Sequence, residues 1–138
     1  MSLPRRFRLS GKNSFKHVFQ RPVVSADDCF KVLARANNVE AFRLGMAVSR
    51  KVDRRAVARN RLKRIIRESF RAHYAERSAP GNEVGTGADY VVLPRARAVS
   101  ISNGQLFKQL TRHWVRLDRR MGILTGDGAE AEVTHPEH

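Results

Sequence analysis

Apolar positions recur along this chain in two distinct periods. In "SFKHVFQ", Phe15, Val18 and Phe19 fall at i, i+3 and i+4, one face of a short helix. "CFKVLARAN" alternates Phe30, Val32 and Ala34 against Lys31, Leu33 and Arg35, which predicts a strand. Leu33 on the second face implies that this face also meets protein. "FRLGMAVS", Phe42 to Ser49, predicts a second strand, and Asn37 to Ala41 between the two reads as a hairpin loop. A short strand is expected near "PVVSA". A long basic helix follows from Arg54 to Arg77, with Asp53 as its N-cap. The Gly- and Pro-rich "SAPGNEVGTGA" reads as loop, and "DYVVLPR" as a strand ending at Pro94. Ser102 and Gln105 stand at capping-box spacing. The apolar series Leu106, Leu110, Trp114, Leu117, Met121 after them predicts an amphipathic helix of core type. The alternation of these elements describes one α+β domain over residues 1–120. Residues 121–138 read as an acidic, disordered tail.

Charge changes the picture at the long helix. "VARNRLKRIIRESFR" carries six basic residues and one acid, Glu68. At 100° per residue, Leu62, Ile65, Ile66, Ser69, Phe70 and His73 gather on one side. Asn60, Arg64, Arg67 and Arg71 lie opposite, flanked by Arg59 and Lys63 on one side and Arg61 on the other. A solvated helix face normally mixes signs, with Glu four residues before Lys. Here the cations stand almost alone, and Arg50, Lys51, Arg54 and Arg55 extend the patch upstream. Arginine outnumbers lysine, which suits bidentate phosphate contacts.

The whole chain, 138 residues at net charge +14, has the same bias. All 27 Lys and Arg lie in residues 1–120 against nine acids, while 121–138 holds four acids and no Lys or Arg. A domain this basic is expected to meet a polyanion, nucleic acid before a membrane surface. The single cysteine, Cys29, excludes an internal disulfide and fits a reducing compartment. The start lacks an apolar signal-peptide core, and no apolar run is long enough to span a bilayer. The reading is cytoplasmic, without a membrane.

No catalytic constellation is visible. The acids are scattered apart from Asp27 and Asp28, whose side chains point apart as neighbours. His17, His73 and His113 lie on or beside apolar stripes, the usual place of a packed histidine. His135 and His138 lie in the tail. Trp114 and Phe70 belong to apolar stripes and read as core. On periodicity alone Phe15 and Phe19 read as core as well, although single-stranded RNA is commonly held by aromatics beside a cationic groove.

The motifs "RLGMAVSRKV" and "AVARNRLKRIIRESFR" resemble the protein subunit of bacterial ribonuclease P. That family carries R-x-G-x-x-V-S-[KR]-K, then R-N-R-x-K-R-x-x-R-E. This chain supplies Arg43, Gly45, Val48, Ser49, Arg50 and Lys51, then Arg59, Asn60, Arg61, Lys63, Arg64, Arg67 and Glu68. Arg8 and Leu9, the F-x-x-V-F of Phe15, Val18 and Phe19, and "DYVVLPR" match in order. The likeness runs from about Arg8 to Trp114. One departure is Asp53, where family members often carry glycine.

The resemblance implies an αβββαβα domain similar to one of a small-subunit ribosomal protein, with its long helix in a left-handed crossover. It implies a catalytic RNA partner that, with bound Mg²⁺, removes the 5′ leader of precursor tRNA, the protein itself binding no cofactor and needing no obligate protein partner. Arg50, Lys51, Arg54, Arg59, Asn60, Arg61, Lys63, Arg64 and Arg67 would bind the RNA subunit. Arg8, Phe15 and Phe19 would line a leader cleft between the first helix and the sheet. Three other readings compete. A ribosomal or RNA-chaperone protein would share the charge and lack the ordered motif. A helix-turn-helix protein needs a helix where "FRLGMAVSRK" reads as strand. A metal-dependent nuclease needs clustered carboxylates.

Overall fold

The computed structural model describes residues 8–9, 12–37, 41–75 and 87–123. Its elements are α1 (Lys12–Phe19), β1 (Val23–Ala26), β2 (Phe30–Ala36), β3 (Phe42–Met46), α2 (Ala56–Tyr74), β4 (Ala88–Pro94), a 3₁₀ turn (Ala96–Ser100) and α3 (Asn103–Met121). The αβββαβα order is the expected one. The strands form one sheet in the order β1-β2-β4-β3.

That order overturns the hairpin. β2 and β3 are not neighbours, because β4 lies between them, antiparallel to β2 and parallel to β3. Strand burial accounts for this. β4 is buried along almost its whole length, and a strand covered on both faces belongs in the middle of a sheet. A parallel neighbour cannot be reached by a tight turn, so α2 serves as the crossover from β3 to β4. Of the predicted loop, residues 38–40 lie outside the described residues, as do 76–86 and the tail beyond 123.

Strand alternation divides the core in two. Leu33 and Val91, directly paired, face α1 and pack with Leu9 and Val18, joined by Phe15, Val24 and Leu93. The second face of β2 therefore meets protein, as Leu33 implied. Val32, Ala34, Leu44, Tyr90 and Val92 face the other way and pack beneath α2 and α3 with Leu62, Ile66, Phe70, Leu110 and Trp114. The centre of this larger cluster is aromatic. Phe42 stacks on Tyr74 at 4.8 Å, and Trp114 meets Phe70 edge-on at 5.6 Å. Its polar atoms are satisfied inside. The Tyr74 and Tyr90 hydroxyls both donate to the buried Asp118 carboxylate, and Trp114 Nε1 donates to Ser69 Oγ at 2.9 Å.

The caps hold one surprise. Ser102 caps α3 through its Oγ and the Gln105 amide, and Gly122 closes the helix in the left-handed region. Asp53 is not the N-cap of α2. Arg55 occupies that place without a side-chain bond, and Asp53, two residues earlier, accepts from the Arg55 amide and guanidinium. A two-residue shift of the helix start turns the cap into an Asx turn.

Candidate nucleic-acid interface

α2 presents its apolar stripe inward and its cations outward, as its periodicity requires. Ala58, Leu62, Ile65, Ile66, Ser69, Phe70 and Tyr74 are buried. Arg50, Lys51, Arg54, Asn60 and Arg64 are exposed, with Lys63 half-buried beside them. Arg64 approaches Glu68 at 3.8 Å, a loose exposed contact that leaves its charge for a partner. Arg55 is tied to Asp53, and this guanidinium holds the Asp53 carboxyl down at about 2.

Three of the expected contact residues have work inside the protein. Arg59 donates to the carbonyls of Asp53 and Arg54 and fastens the preceding loop to the helix. Arg61 donates to Asn103 Oδ1 at 2.8 Å and to the carbonyls of Val99 and Ile101, which ties α2 to the start of α3. Arg67 turns away from the outward face. It is half-buried and lines a cavity of about 260 Å³ with Arg8, Leu9, Phe15, Leu44, Gly45 and Met46. Its Nε has no hydrogen-bond acceptor among the described residues.

This cavity brings together two of the three residues expected to line a leader cleft, Arg8 and Phe15. Its floor is β3 and its wall is α1. The first strand of contact is made by Arg8 and Leu9, where the Leu9 amide donates to the Leu44 carbonyl at 2.8 Å. Phe15 lies over Gly45, where an added Cβ would stand 2.6 Å from the ring, so a side chain there would displace the aromatic. Phe19 lies outside the cavity lining at the end of α1. It is 50% exposed, so the periodicity that read it as core fails for this residue. Arg35 secures this end of the helix by donating to the carbonyls of His17 and Gln20. Behind the cavity, Arg43 and Asp89, cross-strand partners, form a two-bond ion pair that joins β3 to β4. Leu9, Leu44, Gly45, Met46 and Arg35 were not singled out as site residues. Only their position beside Phe15 and Arg8 in space identifies them.

The structure does contain a serine–histidine–aspartate chain that no spacing signalled. Ser25 Oγ lies 2.7 Å from His113 Nδ1, and His113 Nε2 lies 2.9 Å from Asp27 Oδ2. Ser25 is only 2% exposed, and its oxygen accepts from Arg116, so no electrophile can reach it. The chain binds α3 to β1 and to the turn where Asp27 accepts from the amides of Cys29 and Phe30. Burial pushes the His113 imidazole below its usual value and keeps it neutral. Asp28 meets Arg97 and Gln109, which lower its carboxyl, Gln109 more strongly. Burial first, then the nearby Asp28, pushes the Cys29 thiol up to about 11, which makes it inert. No group of three His, Cys, Asp or Glu among the described residues is placed to hold a metal ion. No helix among them is long and apolar enough to cross a membrane.

Comparison with known proteins finds matches over most of the chain. Residues 3–118 match the family model described as Ribonuclease P. A Ribonuclease P protein component from Methylococcus capsulatus is 44% identical over 117 residues, covering 85% of each chain. One from Vibrio cholerae is 39% identical over 115 residues, covering 83% of this chain and 91% of the relative. Among solved structures, the Thermotoga maritima RNase P protein superposes with a TM-score of 0.60 at 29% identity, covering 76% of this chain and 96% of the other. The Staphylococcus aureus RNase P protein gives 0.62 at 25% identity, covering 83% and 94%.

Proposed function

The chain belongs to the ribonuclease P protein family, and from that premise we propose that it holds the RNA subunit on α2 and the 5′ leader of precursor tRNA in the α1–β3 cleft. It is the protein component of a tRNA-processing ribonuclease, and its partner is RNA. The observation that carries the finer reading is the cleft itself. Arg8 and Arg67 bring two cations to a half-buried aromatic, with a second aromatic, Phe19, left exposed at its end. Single-stranded RNA needs this combination, a flat face for a base beside charge for its phosphate. At about 260 Å³ the cavity lies just below the range typical of drug-sized ligands, about 300–1,000 Å³, and suits a base better than a folded helix.

The division of labour follows from what the side chains can do. Asp27, Asp53, Asp89 and Asp118 each accept hydrogen bonds within the protein, and the buried His113 is committed to Ser25 and Asp27. Among the described residues this donor set does not fit a hydrolytic metal centre. Magnesium ions bound with the RNA subunit supply the hydrolytic chemistry. The chain's residues bind and orient. Arg50, Lys51, Arg54, Asn60, Lys63 and Arg64 neutralise phosphates of the RNA subunit. Arg59 and Arg61 keep that surface rigid, Arg61 by holding α2 against α3. Arg8, Phe15 and Phe19 draw the leader along the cleft, and Arg67 joins them there.

Removing Phe19 tests this directly, because the side chain is exposed and its loss leaves the core intact. Aromatic–base stacking is worth about 1–3 kcal/mol per base. Phe19→Ala is therefore expected to weaken precursor binding by the assembled enzyme about tenfold and to leave mature tRNA, which lacks a leader, unchanged. Titrations with leaders of increasing length measure this. An unaltered ratio of precursor to mature affinity in both Phe19→Ala and Phe15→Ala, with folding intact, removes the leader from the cleft.

A further inference from the structure

α3 carries a second cationic face, distinct from that of α2. At 100° per residue, Lys108, Arg112 and Arg119 fall within about 40° of one another, opposite the buried Leu106, Leu110 and Leu117. All three are exposed. Lys108 and Arg112 have no ion-pair partner among the described residues. The helix contains a single acid, Asp118, and that carboxylate is buried against Tyr74 and Tyr90. Two further arginines lie along one side of the stripe and fix its direction. Arg116 donates to Ser25 Oγ, and Arg120 to the Val24 carbonyl, so α3 is clamped to β1 with the stripe facing outward. Like charges at i and i+4 destabilise a helix unless something opposes them. Among the described residues no acid opposes Lys108 and Arg112, which calls for an external polyanion.

We propose that Lys108, Arg112 and Arg119 form a second RNA-binding surface that grips the backbone of a helical segment of the RNA subunit, beside the segment held on α2. This rests on the RNA-docking reading of α2 given above. Geometry selects the partner. Three cations spread over about 16 Å of helix present a line of charge to a line of phosphates. No aromatic lies among these three exposed positions, so the stripe suits a duplex backbone and not splayed bases. α2 and α3 are locked side by side by Arg61 on Asn103, Trp114 on Ser69 and Tyr74 on Asp118, so both surfaces belong to one rigid layer. α3 packs over β1 and β2, whereas the leader cleft is lined by β3 at the opposite end of the sheet. The stripe therefore reaches RNA that the leader does not.

The test replaces Lys108, Arg112 and Arg119 together by Gln in the full-length chain, with Arg64→Gln on α2 as comparison. Binding to the transcribed RNA subunit is measured over a range of monovalent salt, with circular dichroism melts to confirm folding. The expected result is a loss of about tenfold or more in affinity. The log–log salt slope shrinks by about two to three, since each lost phosphate contact removes about 0.7–0.9. A backbone footprint on the RNA is expected to lose one protected patch, different from the patch lost with Arg64→Gln. Unchanged affinity, slope and footprint in the triple variant, while Arg64→Gln weakens binding, overturns the second surface alone. Unchanged binding in both variants overturns the α2 reading on which it rests. Weakened binding only to mature tRNA, or only to anionic lipid vesicles, assigns the stripe to another partner and overturns the proposal equally.

Discussion

Arg61 sits in the middle of the most basic stretch of the chain, and its guanidinium faces inward to three acceptors near the start of α3. Two of those are main-chain carbonyls in partly buried contacts, so its removal takes away their donor. Arg61→Ala is expected to lower stability by about 1–3 kcal/mol, because charge-assisted bonds are lost and their acceptors are left unpaired. Arg64→Ala, exposed and loosely paired, is expected to stay within about 0.5 kcal/mol of the parent. Urea unfolding of the two variants measures the difference. Equal midpoints would mean that Arg61 is a surface residue like its neighbours. A helical wheel could not distinguish these two arginines, since it records angle and not what stands beyond the helix. The same blindness put Arg67 among the outward cations, when Phe15 and Leu9 close over its side of α2 and make it part of the cleft. Phe19 erred in the other direction: its spacing is that of a core residue, but α1 ends before any neighbour covers it.

Local pattern carried the elements further. The buried stripe of α2 and the Ser102 cap of α3 are short-range features, and both stand where periodicity and capping chemistry put them. The position of β4 is not short-range. Nothing between Asn37 and Ala41 announces that a strand from the far side of a long helix will enter between β2 and β3. The link from β1 to α3 is equally distant in sequence, and it makes a prediction about pH. His113 is held neutral by burial between Ser25 and Asp27, below the ordinary histidine value of 6.5. An imidazole depressed in the folded state binds its proton more readily once unfolded. Its contribution to stability is therefore full above about pH 6.5 and is lost as pH falls below that value. The melting temperature of the parent should drop between pH 7 and pH 5, and His113→Gln should flatten the drop. Identical pH profiles would mean that the chain from Ser25 to Asp27 is no pH-linked latch. Asp53, held at about 2, titrates too low to mimic this effect.

At the scale of the molecule, the net charge of +14 resolves into separate surfaces with different geometry. α2 offers exposed arginines, the α1–β3 cleft offers charge with an aromatic, and α3 offers an exposed cationic stripe. The family was legible because its motif is local: Arg43 to Lys51 and Arg59 to Glu68 are two continuous runs. The cleft was legible only through that resemblance, as Arg8, Phe15 and Gly45 are far apart in sequence and meet only through the sheet. The central claim is that this protein positions RNA for a catalyst that is itself RNA. Its most direct test is cleavage of a precursor tRNA with the protein alone, the RNA subunit alone, and both together, at near-physiological salt and magnesium. The account predicts no cleavage by the protein, weak cleavage by the RNA, and efficient release of the 5′ leader only by the pair. Cleavage by the protein alone, or an RNA rate that the protein leaves unchanged, would contradict it.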